Sequence, residues 1–276
     1  MESTRAALLT EEIAQRILLS EQEEVDVSLD LGRDWKKVKR KTLLKIPLEK
    51  VKGDFVYMWD GRLLFKLAIA GEHYYRLRIF NSIPVLEIDG LRMQLIKDFK
   101  DPLEYPQVVA HKLGVQKGEF VLDTCMGLGY TAIAAAAKGA AVLTLEKDPN
   151  VLELAKSNPW SRELFEDKGI SVQEGDSYFA VRKMRDATFE RIIHDPPRFS
   201  LAGELYSGEF YAELFRIAKP GCRLFHYVGS LGKAGGKHIE RGVIARLAQA
   251  GWKGAKYNLR LQGVFAEKEG GEKKHI

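Results

Sequence analysis

The chain has 276 residues, 45% of them hydrophobic and 29% charged, enough for one large domain or two smaller ones with real cores. No run of about 18 apolar residues occurs, so no membrane-spanning helix is expected, and MESTRAALLTEEIAQRILLS, with its acids and no continuous apolar core, reads as an amphipathic helix rather than a signal peptide. Two cysteines, Cys125 and Cys222, without metal-ligand spacing point to a reduced, cytoplasmic protein that binds no metal, and the net charge of +5 hints at an anionic partner.

The first twenty residues read as an amphipathic helix. Short β-like runs follow: EEVDVSL, KVKRKTLLKI, DFVYMW, RLLFKLAIA, HYYRLRIF and PVLEI. Gly53, Asp60-Gly61, Gly71 and Asp89-Gly90 punctuate them, so residues 1–100 are expected to form a helix and a small antiparallel sheet built from hairpins. A linker then carries a helix near 105–114. From 101 to 276 strands and helices alternate. Strands are expected at 119–124, 141–146, 170–174, 190–194 and 222–229, with a last pair at about 253–267. The helices between them fall at 129–138, 149–157, 177–185, 208–218 and 237–250. That rhythm implies a doubly wound, Rossmann-like α/β domain behind a β-rich front domain.

The stretch FVLDTCMGLGYTAIAAAAKGAAVLTLEKD is the most informative. An apolar strand ends at Asp123, Gly127-Leu128-Gly129 makes the turn, a helix follows, and the next strand ends in Glu146. Glycines let a ligand approach the backbone, and free N–H groups at the helix start face it. Glu146 is placed to accept bonds from two ribose hydroxyls. The template suits a nucleoside cofactor. A carboxylate at Asp123 would repel a pyrophosphate, which argues against a dinucleotide, and would suit a ligand carrying an ammonium and a sulfonium.

Asp123 through Gly129 with Glu146 resembles the first two signatures of class I S-adenosylmethionine-dependent methyltransferases. The resemblance covers roughly residues 100–267 and implies their seven-stranded methyltransferase sheet. It implies that Asp123, Cys125, Gly127 and Gly129 line the methionine half of S-adenosylmethionine, that Glu146 and Lys147 lie at the ribose, and that Asp176 contacts the adenine amino group. Asp176 also reads as a plain helix N-cap, and Cys125 and Met126 as loop packing. DTCMGLGYTA together with HDPPRFSLAGELYS is similar to a family of predicted archaeal methyltransferases, whose relatives include an enzyme acting on cytidine N4 in ribosomal RNA.

Asp195-Pro196-Pro197 closes the fourth strand and resembles the (Asp/Asn/Ser)-Pro-Pro-aromatic signature of amino-group methyltransferases. The residue types fit the chemistry. An exocyclic amine is a poor nucleophile because its lone pair is delocalised. An acceptor on each N–H pulls the nitrogen toward tetrahedral geometry and frees that pair. Asp195 supplies one acceptor and the Pro196 carbonyl, held by the proline rings, the other. In the fourth position Arg198 replaces the aromatic and Phe199 follows; either can stack on a base. The bland alternative is a turn. SLAGELYSGEF, with Tyr206, reads equally as a substrate-lining lid or as a loop and helix start. His194 reads as a packed strand residue.

Residues 33–52 hold nine Lys or Arg against Asp34 and Glu49. Lys37, Lys39 and Lys41 alternate, so on a strand they share one face that can track a phosphate backbone; the alternative is a charged edge strand. These features together lead to the expectation of an RNA amino-methyltransferase acting on an unpaired nucleotide, with cytidine N4 in ribosomal RNA as its target. The competing expectations are a polyamine aminopropyltransferase using decarboxylated S-adenosylmethionine, an RNA-binding module with an inactive fold and, more distantly, a nicotinamide dehydrogenase.

Overall fold

The computed structural model describes residues 6–229 and 239–270. The chain divides into two compact units. Residues 1–102 with 150–162 form one, and residues 103–149 with 163–276 the other.

The first unit opens with β1 (Ala7–Leu9), and α1 (Glu11–Leu19) starts only after Thr10, whose hydroxyl caps the Ile13 N–H. The single helix expected over the first twenty residues is therefore a strand and a shorter helix, because the Thr10 side chain ends the extended segment. Ile13, Ala14 and Ile17 form the buried face of α1. Next come β2 (Glu24–Val27), β3 (Lys36–Lys39), α2 (Arg40–Leu43), β4 (Tyr57–Trp59) and β5 (Leu64–Lys66). β6 (Ala68–Ala70), β7 (Tyr74–Phe80), β8 (Ile83–Ile88) and β9 (Leu91–Arg92) complete the unit. The one small sheet expected is three: β1-β4-β5, β2-β3 and β6-β7-β8-β9, with antiparallel strand pairs throughout. A core of Leu9, Ile17, Val25, Val27, Leu43, Leu48 and Tyr57 joins the first two sheets to α1. Residues 150–162, expected within the α/β alternation, group with this unit: the Trp160 indole donates to the Leu31 carbonyl (2.9 Å), and Arg33 donates to that of Pro159.

In the second unit α3 (Glu104–Leu113) precedes β10 (Phe120–Asp123), α4 (Tyr130–Ala136) and β11 (Ala141–Glu146). The chain then passes through α5 (Pro149–Ser157), which from residue 150 groups with the first unit, and α6 (Arg162–Glu166) to β12 (Ile170–Glu174), α7 (Ser177–Ala180) and β13 (Phe189–His194). α8 (Gly208–Ile217), β14 (Ala218–Tyr227), α9 (Ile239–Gln249), β15 (Lys253–Asn258) and β16 (Gly263–Glu267) follow. The expected helix at 237–250 is seen from Ile239; its first two residues lie outside the described residues. The sheet order is β12-β11-β10-β13-β14-β16-β15, parallel except for β16. Val121, Leu122, Ile192 and Ile193 are wholly buried, as central strands of a parallel sheet require. The chain winds outward from β10 through β11 and β12, then returns to β13 on its other side. That reversal places the ends of β10 and β13 together, at the position where doubly wound sheets bind ligands. Among the described residues, no helix is long and apolar enough to cross a membrane.

Candidate active site

The carboxyl ends of β10, β11 and β13 carry the predicted acids. Asp123, last in β10, lies opposite Ile193 of β13, so Asp195 begins just beyond the neighbouring strand's end. Asp123 is fully buried. The hydroxyls of Thr131 and Thr144 both donate to its Oδ2 at 3.0 Å, whereas Oδ1 makes no hydrogen bond among the described residues. Burial pushes its carboxyl from 3.8 up to about 7, with the Thr131 and Thr144 hydroxyls pulling the other way and the charge of Asp195 adding to the rise.

The glycine loop divides its labour. Gly127 has φ +54°, and open space lies where a Cβ would stand. Gly129 has φ +77°, and a Cβ there would meet Leu164 at 2.6 Å, so this glycine serves close packing rather than an open cradle. Glu146 closes the loop from the next strand. Its Oε2 accepts from the Gly127 N–H and its Oε1 from the Asp148 N–H, both at 3.0 Å. Burial raises the Glu146 carboxyl above its ordinary range, opposed by those two N–H groups.

Asp176 is the N-cap of α7, accepting from the Tyr178 N–H at 2.8 Å. Its other oxygen faces Lys147 at 3.9 Å, and Lys147 lies 4.0 Å from Glu204. Cys125 is half-buried, and burial pushes its thiol well above its ordinary value, so it is no nucleophile.

Asp195 as a residue is half-buried, but its carboxyl lies deep, and burial lifts it from 3.8 to about 7. The Tyr105 hydroxyl donates to Oδ2 at 3.2 Å and opposes that rise. Pro196 is buried, and the Pro197 carbonyl accepts from the Tyr206 hydroxyl at 2.9 Å. Tyr206 is itself 2% exposed, so the tyrosine expected to line the substrate is instead a strut that fixes the Asp-Pro-Pro turn. Arg198 is exposed, and Phe199, 48% exposed, leans edge-on against Tyr206 at 5.4 Å between centroids. Both remain available at the surface.

His194 braces the site from behind. It is fully buried, with Nε2 3.0 Å from the Leu205 carbonyl and Nδ1 2.6 Å from the Thr124 hydroxyl. A carbonyl only accepts, so Nε2 carries the proton and Nδ1 accepts from Thr124. Burial lowers this imidazole from 6.5 to about 3, which keeps it neutral. The segment read as lid or loop is thus tied down at Leu205 and Tyr206, and α8 begins at Gly208 behind the Ser207 cap.

The basic stripe of the first unit differs from the expectation. The strand stops at Lys39, and Lys41 lies in α2. The polar run KRKT turns helical because the Arg40 guanidinium reaches the free carbonyls of Ile17 (3.2 Å) and Leu18 (3.0 Å). Lys37 and Lys39 stand opposite Asp26 and Glu24 in the hairpin. All three lysines line a cleft that Glu21, Glu23, Glu24 and Asp26 also line, so its charge is mixed. Tyr105, Thr131 and Thr144 carried no signal in the sequence. Their roles depend on partners 90, 8 and 21 residues away.

No family model matches the chain. An uncharacterized protein of Methanocaldococcus jannaschii, MJ1233, is 46% identical over 277 residues, covering 94% of this chain and 95% of that protein. A type II methyltransferase of Bacillus subtilis, M.BglI, is 42% identical over 71 residues, which is 26% of this chain and 20% of that enzyme. The crystal structure of spermidine synthase from Thermotoga maritima aligns with a TM-score of 0.60 and 17% identity, covering 75% of each chain. The chain belongs to the family of the Methanocaldococcus jannaschii protein and carries the class I S-adenosylmethionine-dependent methyltransferase fold.

Proposed function

We propose that this chain is an S-adenosylmethionine-dependent N-methyltransferase that acts on an exocyclic amino group in RNA, with cytidine N4 in ribosomal RNA as its target. The observation that carries the reading is the position of Asp195-Pro196-Pro197 at the end of β13, beside Asp123 and the glycine loop. The residues present fit the cofactor. The unpartnered Oδ1 of Asp123 suits an ammonium group, the space at Gly127 admits a ligand against the backbone, and Glu146 presents carboxylate lone pairs for ribose hydroxyls. Asp176 and Lys147 stand next along the same strand ends. When bound, S-adenosylmethionine supplies an electrophilic methyl group.

The protein's own residues do the rest. Asp195 and the Pro196 carbonyl accept the two N–H groups of the substrate amine and hold its lone pair toward the donor. Asp195, with a carboxyl near 7, takes the proton that the nitrogen sheds. Arg198 and Phe199 are exposed beside the turn and suit stacking on an unpaired base. Lys37, Lys39 and Lys41 supply exposed charge for the phosphate backbone.

The test is transfer of labelled methyl from S-adenosylmethionine to archaeal ribosomal RNA, followed by nucleoside mass spectrometry. Asp195→Ala is expected to abolish transfer and to leave cofactor binding within about threefold. Full activity in that variant would refute the mechanism. A second reading, an aminopropyltransferase, draws on the spermidine synthase likeness and on two buried carboxylates, Asp123 and Asp195, that feel one another's charge. Turnover of decarboxylated cofactor with putrescine or spermidine, and none with RNA, would favour it.

A further inference from the structure

Tyr105 is the second residue of α3, and its burial follows from the helix pattern. Tyr105, Pro106, Val109, Ala110 and Leu113 form the buried stripe. Its ring meets Phe225 of β14 edge-on, with centroids 6.3 Å apart. That contact fixes the phenol, and its hydroxyl ends 3.2 Å from Oδ2 of Asp195. A hydroxyl carried this deep needs a polar partner, and a carboxylate is the strongest acceptor on offer.

We propose that Tyr105 is the positioning residue of the site: its hydroxyl holds Oδ2 of Asp195, favours the ionised carboxylate, and reserves Oδ1 for the substrate amine. The role assigned to Oδ1 rests on the amino-methylating reading above. The two oxygens then have separate duties. Oδ2 is a fixed structural acceptor. Oδ1 accepts a substrate N–H; the nitrogen lone pair would form the bond to the methyl carbon as that carbon's bond to the donor sulfur breaks, its pair leaving on sulfur, and the N–H would break with its pair staying on nitrogen and its proton moving to Oδ1. The phenol stays on Oδ2 throughout.

Among the described residues, none of the other groups around Asp195 makes a hydrogen bond to its carboxyl. Asp123 and Cys125 face it from the end of β10, Tyr206 from the turn before α8, and Tyr227 from the end of β14. Asp123 is an acid and opposes a second charge. Burial holds Cys125, Tyr206 and Tyr227 neutral at working pH, and Tyr105 likewise, so the phenol remains a donor. Among the described residues, the bond on the Asp195 carboxyl is the one from Tyr105.

The decisive variant is Tyr105→Phe, which keeps the ring contact with Phe225 and removes only the oxygen. Carbon-13 carboxyl NMR of the cofactor-free protein, with the Asp195 signal assigned by its loss in Asp195→Asn, reads the titration directly. The midpoint is expected to rise by about one unit, the size of one charge-assisted hydrogen bond. In the methyl-transfer assay the acid limb of kcat should move to higher pH by the same amount, with KM for S-adenosylmethionine unchanged. An unmoved Asp195 midpoint overturns the proposal, and so does a loss of rate that is equal at every pH. If the wild-type protein methylates no RNA, the reading under Proposed function fails, while the NMR titration still decides the role of Tyr105.

Discussion

Replacing Asp123 by Asn should stabilise the cofactor-free protein, and increasingly so as pH rises. The wild-type carboxyl is wholly buried and titrates near 7, against 3.8 when free in water. Below pH 3.8 both states are protonated and nothing is lost. Between 3.8 and 7 the unfolded chain ionises while the folded one does not, so stability falls as pH rises. Above 7 both ionise and the loss levels off. Each unit is worth about 1.4 kcal/mol, which puts the cost near 1.7 kcal/mol at pH 5 and about 4 kcal/mol at pH 8. Asn removes this charge cost. Its altered hydrogen bonds to Thr131 and Thr144 contribute equally at both pH values and cancel in the comparison. Urea denaturation of both proteins at pH 5 and pH 8 should therefore show the variant gaining about 2–3 kcal/mol on the wild type between them. A gap that stays constant with pH would refute the buried-charge argument. Calorimetry should meanwhile show weaker S-adenosylmethionine binding by the variant, because the negative charge that would face its ammonium is gone.

The two loop glycines should respond in opposite ways. Gly129→Ala meets both a left-handed backbone and Leu164, and should lose about 2–4 kcal/mol in denaturation. Gly127→Ala meets open space, so it should lose only about 1 kcal/mol while weakening cofactor affinity at least tenfold by calorimetry. The opposite ranking would reverse the assignment of cradle and packing glycine. For RNA, the double variant Lys37→Ala/Lys39→Ala should flatten the salt dependence of binding by a slope of roughly 1.4, the value for two phosphate contacts to a single strand. An unchanged slope would mean that Asp26 and Glu24 already occupy both lysines.

The parts of the site that were legible in the sequence were those encoded by neighbours along the chain. Strand, glycine turn, helix and tip acid at 120–146 form one local pattern, and the Asp-Pro-Pro stop after an apolar strand is another. The sheet reversal then follows from the alternation of elements. The supporting residues were not legible, because their partners are distant. Helical spacing says that Tyr105 is buried but not that it meets Asp195. Thr144 looks like any strand threonine until β11 is laid beside β10 and its hydroxyl reaches Asp123. Tyr206 reads as part of a substrate-lining lid or of a loop until its hydroxyl is seen on Pro197. Lys41 was misplaced because an alternating charge pattern does not reveal where a strand ends; the end depends on Arg40 finding the carbonyls of α1.

The neutral imidazole of His194 grips Thr124, two residues before Met126 and the glycine turn, and Leu205, beyond Asp-Pro-Pro. The loops on the two sides of the site therefore share one ordering free energy. A ligand that stiffens residues 125–129 lowers the entropy still to be lost when 196–206 are fixed, and linkage requires the same factor in the reverse direction. Donor and acceptor would then bind with positive cooperativity while the backbone keeps a single shape, and the Thr124 hydroxyl is the point at which that communication can be cut.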